Sequence, residues 1–146
     1  MKKLLPLLSV LFLIYWSCEE EQEQDSESCN SDCSIYIYSQ LPLNSDGVYE
    51  LPWNENLVQT YSHLYVETNC GLHNRVQWDS DYQYQIGGEW VSLINPSSMT
   101  DEDGKGTIVY GFWEEFIGLT VTFYGGYYDH CNNQFVDSVK VKLIES

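Results

Sequence analysis

The chain has 146 residues, with 22 acidic against 6 basic side chains and a formal net charge of −16. A surface this acidic repels phosphate backbones and anionic lipid headgroups, so nucleic acid is not expected as a partner. No alanine occurs anywhere, while Tyr, Val, Trp and Thr abound; with the best helix former missing, the composition points to strands.

Residues 1–17 begin with Lys2 and Lys3 and continue as LLPLLSVLFLIYWS, the order of a secretory signal. The apolar run, residues 4–16, is shorter than the roughly 20 residues a spanning helix needs. Ser17 precedes Cys18, and Glu19, Glu20, Glu21, Glu23, Asp25 and Glu27 follow at once. The segment resembles a bacterial lipoprotein signal, which implies that Cys18 carries lipid, in the manner of a palmitate anchor, and becomes the first residue of the mature chain. More than one acyl chain is needed for stable anchoring. The acidic run resembles the surface-export signal of Bacteroidota lipoproteins, which implies that Glu19, Glu20 and Glu21 route the chain to the outer face of the outer membrane. The same like-charged run is also a solvated linker, since it repels itself and has nothing to bury. Residues 18–33 are therefore read as lipidated cysteine plus linker, and residues 34–146 as one domain with one core. That domain holds 15 acids against Arg75, Lys105, Lys140 and Lys142.

Strand-like runs follow one another: SIYIY (34–38), GVYEL (47–51), HLYVET (63–68), RVQW (75–78), YQYQI (82–86), EWVSLI (89–94), GTIVYGF (106–112), GLTVTFY (118–124) and SVKVKLI (138–144). Turn clusters separate them, among them NSDG, DSD, GG, NPSS, DEDGKG, a second GG and DHCNN, a spacing that suggests a sandwich or barrel. Alternation is clearest in the last two runs. Leu119, Val121 and Phe123 should face inward with Thr120, Thr122 and Tyr124 outward; Val139, Val141 and Leu143 should face inward with Lys140 and Lys142 outward. FWEEFIG is the only helix-like candidate, and it is short.

Apart from Cys18, four cysteines remain: Cys29, Cys33, Cys70 and Cys131. An even number in an exported chain favours disulfides. The preferred pairing is Cys29 with Cys33 and Cys70 with Cys131; the alternative bonds both linker cysteines to the domain. His73 near Cys70 and His130 beside Cys131 raise zinc, but the spacings are not those of compact zinc modules, and no metal or cofactor is expected. DEDGKG is not an EF-hand loop, since aligning Gly104 to the sixth position puts Met99 first and Tyr110 last. A β-hairpin turn, with Asp103 and Gly104 as its tight corner, explains it better.

Glu114 and Glu115 do not read as an acid and base pair, because neighbours on a strand point to opposite faces. No nucleophile elbow, HExxH or phosphate loop occurs, so the chain is not read as an enzyme. The surplus is aromatic: 12 Tyr, 5 Trp and 5 Phe. Trp53, Trp113, Tyr127 and Tyr128, each in or beside a turn, are the candidate ligand-binding residues, able to stack on a sugar ring or a partner protein.

From about residue 63 onward the domain resembles an immunoglobulin-like antiparallel β-sandwich. Within it, VQWDSDYQYQIGGEWVSLINPSSMTDEDGKGTIVY (76–110) resembles the Bacteroidetes-associated module called BACON, through Trp78, Trp90, Ser92, Pro96 and Ser97. FWEEFIG stands where that module usually has Asn then Arg. The resemblance implies an all-β fold and attachment to carbohydrate or mucin. The expected protein is thus a cell-surface outer-membrane lipoprotein, a non-catalytic module binding glycan or protein. The alternative is a structural accessory subunit packed against an envelope protein.

Overall fold

The computed structural model describes residues 32–70 and 73–146. The expectations for the signal segment, Cys18, the acidic run and Cys29 lie outside these residues. Residues Ser31–Ser146 form one compact unit, and its fold is all-β. Ten strands follow in order: β1 Ile35–Tyr38, β2 Val48–Pro52, β3 Thr60–Thr68, β4 Arg75–Ser80, β5 Tyr84–Ile86, β6 Glu89–Val91, β7 Ser97–Met99, β8 Lys105–Phe112, β9 Thr120–Tyr128 and β10 Gln134–Ile144. Among the described residues a single 3-10 turn, Glu114–Phe116, interrupts them, between β8 and β9, within the helix-like FWEEFIG.

The strands form a three-stranded sheet in the order β1-β3-β8, a five-stranded sheet in the order β2-β10-β9-β4-β7, and the hairpin β5-β6. Every pairing is antiparallel except β2 with β10, which is parallel. Alternation sets the faces. In β3, Leu64 and Val66 are fully buried while Tyr61 and His63 face solvent. In β10, Val139, Val141 and Leu143 are buried, and Lys140 on the other face is exposed, because a lysine ammonium cannot be buried without a partner. Val121 and Phe123 face inward as expected, but Leu119 lies before the strand and is exposed.

Both larger sheets turn their inner residues into one core. Leu64, Val66, Ile108 and Phe112 come from one sheet; Val76, Trp78, Val121, Phe123, Val141 and Leu143 come from the other. The Tyr110 and Phe123 rings meet across it at 4.8 Å, and Phe112 reaches Phe123 at 6.0 Å. Each fully buried side chain of this size contributes about 1.5–3 kcal/mol. Phe116, on the 3-10 turn, plugs one end and is itself buried. Asp137 of β10 adds a polar tie, its carboxylate accepting the Ile37 N–H of β1 at 2.7 Å.

Three features of the strands and turns depart from the sequence reading. Ser97–Met99, read as turn, forms β7 against β4, where Ser98 Oγ accepts the Trp78 indole N–H at 2.9 Å. The pair Gly125 and Gly126, also read as turn, lies inside β9. The expected tight turn at residues 101–104 is present: Asp101 Oδ1 accepts the Asp103 and Lys105 N–H groups, and Gly104 has φ +75°. A Cβ there would sit 2.2 Å from the Thr68 carbonyl oxygen, so only glycine fits. That turn, however, joins strands of different sheets instead of closing a hairpin.

The disulfides also differ from the preferred pairing. Cys33 bonds to Cys70, with Cα atoms 5.3 Å apart, not to Cys29, and Cys131 is disulfide-bonded with a partner other than Cys70. Hydrogen bonds brace the Cys33 bridge: Asn69 Oδ1 accepts the Ser34 N–H at 2.6 Å and Asn69 Nδ2 donates to the Asp32 carbonyl at 3.0 Å. The first described residues are thereby fastened to the loop after β3. A bridge closing a loop of 37 residues is worth about 4 kcal/mol in the chain-entropy account. Replacing both Cys33 and Cys70 by Ser is expected to lower the unfolding free energy by about that amount, read from urea denaturation without reductant.

Candidate functional site

Two depressions are lined by aromatic side chains, Tyr124 and Tyr128 in one and Trp53, Tyr61 and Trp113 in the other. The first is a trough on the outer face of the five-stranded sheet. Along β9, Tyr124, Gly126 and Tyr128 point outward while Phe123, Gly125 and Tyr127 point inward. Register fixes their neighbours: Gly126 lies between Gln77 of β4 and Val136 of β10, Tyr124 between Asp79 and Ser138, and Tyr128 opposite Gln134. Without a side chain at Gly126 the strand surface drops, leaving a depression of about 280 Å³ walled by Gln77, Asp79, Tyr124, Tyr128, Gln134 and Val136. Its walls are open to solvent, with Tyr124 41 % and Tyr128 57 % exposed. Two residues of the same face, four positions apart, stand about 13 Å from each other along the strand. The Asp79 carboxylate is oriented by the Ser80 N–H, donated to Oδ1 at 2.8 Å.

The loop at the Tyr128 end of the trough is held by Asp129. Its carboxylate accepts N–H groups from Cys131 at 2.9 Å and Asn133 at 2.8 Å, and the Asn133 amide at 3.0 Å. The Asn133 side chain is the main influence holding this carboxyl below its ordinary pKa, aided by the two backbone donors and by His130.

The second depression lies where β2 and β8 end and β3 begins. Two adjoining grooves, of about 590 and 490 Å³, share Trp53 and Leu57. Trp53 is set by its N–H, which donates to the Ile144 carbonyl at 2.8 Å. Trp113 stacks on Tyr84 with centroids 5.0 Å apart. The Tyr84 hydroxyl in turn donates to Glu115 Oε1 at 2.8 Å. Glu115 is held below the ordinary carboxylate range first by its own backbone N–H and then by this hydroxyl. Its neighbour Glu114 shares the 3-10 turn, and both are exposed, so the opposite-face argument for strand neighbours does not apply to them.

The four aromatic residues singled out in the sequence thus separate. Trp53 and Trp113 converge on one groove, and Tyr128 walls the trough. Tyr127 is a correction: it is 1 % exposed, stacks on Phe135 at 5.3 Å, and its hydroxyl donates to the Ser34 carbonyl at 3.4 Å. It has no free face for a ligand. Sequence reasoning missed Gln77, Gly126 and Gln134 as residues of this depression. Carrying the two-residue alternation of GLTVTFY onward through GGYY would have found the phase, with Tyr124, Gly126 and Tyr128 out and Tyr127 in. It also passed over Trp90, 65 % exposed on β6.

Among the described residues, no group of three His, Cys, Asp or Glu is placed to hold a metal ion. The sulfurs of Cys70 and Cys131, weighed above with His73 and His130, are both spent in disulfides.

No family model matches the chain, and no curated protein matches it. Among solved structures it is similar to the crystal structure of Spo0M, a sporulation control protein from Bacillus subtilis, with a TM-score of 0.35 and 8 % identity. That likeness covers 77 % of this chain and 49 % of the other, so the chain spans about half the length of that protein.

Removing the Tyr84 hydroxyl should release Glu115. Because its folded pKa is depressed, the hydrogen bond stabilises the fold above the ordinary Glu pKa and the effect is lost as pH falls through the depressed value. In Tyr84→Phe the Glu115 carboxyl is expected to titrate closer to its ordinary value, read by NMR of the side-chain carboxyl.

Proposed function

We propose that the chain is a surface-tethered, non-catalytic binding module of immunoglobulin-like sandwich type, and that its trough takes a neutral glycan. The observation that carries this reading is the trough itself: two exposed tyrosines flank a glycine floor, with two amides and a carboxylate at the rim. A pyranose ring has an apolar C–H face that packs on an aromatic ring, and hydroxyls that need polar partners once water is displaced. Gln77 and Gln134 offer both donors and acceptors, and Asp79 accepts. Asp79 and the strongly negative domain favour uncharged sugars over sulfated or uronic ones.

The sandwich reading is supported by two sheets sharing one core and by β2 running parallel beside β10 at the edge of the larger sheet. The tether reading rests on residues 1–21, with lipid on Cys18 and outer-membrane surface display directed by Glu19, Glu20 and Glu21.

A glycan array tests the first part. Neutral glycans should bind, and Tyr124→Ala with Tyr128→Ala should weaken binding at least about tenfold, the scale of losing aromatic anchors. Tyr127→Phe, which changes only a buried hydroxyl, should bind as the parent does. Copurification of one envelope protein with no glycan bound would favour the accessory-subunit reading instead. The address is tested separately. Cys18→Ser should shift the protein out of the membrane fraction, and deleting residues 19–21 should protect it from protease added to intact cells. Digestion equal to the parent's would reduce the acidic run to a linker.

A further inference from the structure

We infer that the Trp53 and Trp113 groove is a second, independent docking site, one that takes a protein segment carrying an apolar side chain flanked by lysine or arginine. Its floor and lip are apolar. Trp53 and Trp113 are half-buried, while Leu57 is 48 % and Val58 87 % exposed on the loop between β2 and β3. Two adjacent aliphatic side chains left in water beside two indoles form the kind of contiguous apolar surface that marks an interaction site. Tryptophan is also the residue type most enriched at the energetic centre of interfaces.

The rim selects the partner's charge. Glu55, Glu114 and Glu115 border the two grooves, and among the described residues no Lys, Arg or His lines either of them. The cations of the domain lie elsewhere: Arg75 on β4, Lys105 on β8, Lys140 and Lys142 on β10. A second copy of this chain would bring the same acidic rim against itself, and an anionic membrane would be repelled. A segment with an apolar anchor between basic residues satisfies both the floor and the rim.

The site is also built in advance, which lowers the entropy cost of binding. The loop is fastened by Trp53 N–H to the Ile144 carbonyl, by Asn54 N–H to Thr60 Oγ1 at 3.0 Å, and by Asn56 N–H to Asn54 Oδ1 at 3.1 Å. Tyr84 backs Trp113. Strand direction then places the groove away from the Cys33 bridge. Thr60 lines the groove, and the nine residues of β3 lead from it toward Cys70, a run of about 30 Å.

The test uses the purified full chain and short synthetic peptides with a central Leu or Trp, flanked either by Lys or by Glu, read by tryptophan fluorescence and calorimetry. The Lys-flanked peptides should bind at least about tenfold more tightly than the Glu-flanked ones, with affinity falling as salt is added. Leu57→Ser with Val58→Ser should reduce binding at least about tenfold. These side chains are exposed, so the thermal midpoint should be retained. Glu114→Gln should weaken the Lys-flanked peptides alone, and Tyr124→Ala, in the trough, should change nothing. Equal binding of both peptide sets, or none, would overturn the inference. So would affinity indifferent to the Leu57 and Val58 changes, self-association or capture by neutral lipid vesicles that those changes abolish, or glycan binding in this groove.

Discussion

The two larger sheets approach each other through an absent side chain. A Cβ on Gly125 would lie 2.7 Å from Ile37 Cδ1 and 2.9 Å from Trp78 Cζ3, inside van der Waals contact. Glycine in the centre of β9 therefore lets the Trp78 ring lie flat under the strand while Ile37 of the other sheet reaches across. Any larger residue would force the sheets apart or turn the indole, at a typical cost of about 1–3 kcal/mol. Its neighbour Gly126 points the other way, and there the missing side chain makes the trough floor. One dipeptide thus sets both the depth of the core and the shape of the outer surface.

This pair is also where sequence and structure part. All nine runs read as strands contain strands, since each carries aromatic or β-branched residues between turn clusters, and the lysine and valine alternation of β10 set its faces correctly. Two glycines side by side look like a turn because backbone freedom is their usual use. Here they serve close packing, which depends on Trp78 and Ile37, residues remote in sequence. The same long-range dependence hid β7: Ser97–Met99 has no strand propensity to speak of and is drawn into the sheet by pairing with β4. The disulfides were no more legible, as three pairings are open to four cysteines and the choice rests on Cys33 meeting Cys70 after β3 is in place. Of the aromatic candidates, composition could name them but could not tell wall from core. Only phase along β9 separates Tyr128 from Tyr127.

The two depressions differ in chemistry as well as in place. The trough is shallow, with amides and a carboxylate between phenols, and suits a ligand rich in hydroxyls. The groove is apolar with carboxylates only at its edge, and Glu115 there is committed to Tyr84, so its charge is structural as well as available at the rim. Ligands of the two kinds would not compete for the same residues, because the linings share none.

The Asp137 carboxylate on the Ile37 N–H bears on how many such domains can share a small area. β1 borders its sheet, pairing only with β3, and the amides on the open side of a border strand invite pairing with a strand of another molecule. By occupying the Ile37 amide, Asp137 removes a central rung from that ladder. The border of β1 is thus closed from within the molecule, by a side chain of the β10 strand that lies alongside it, which is one of the ways an edge strand is kept from pairing with a second copy.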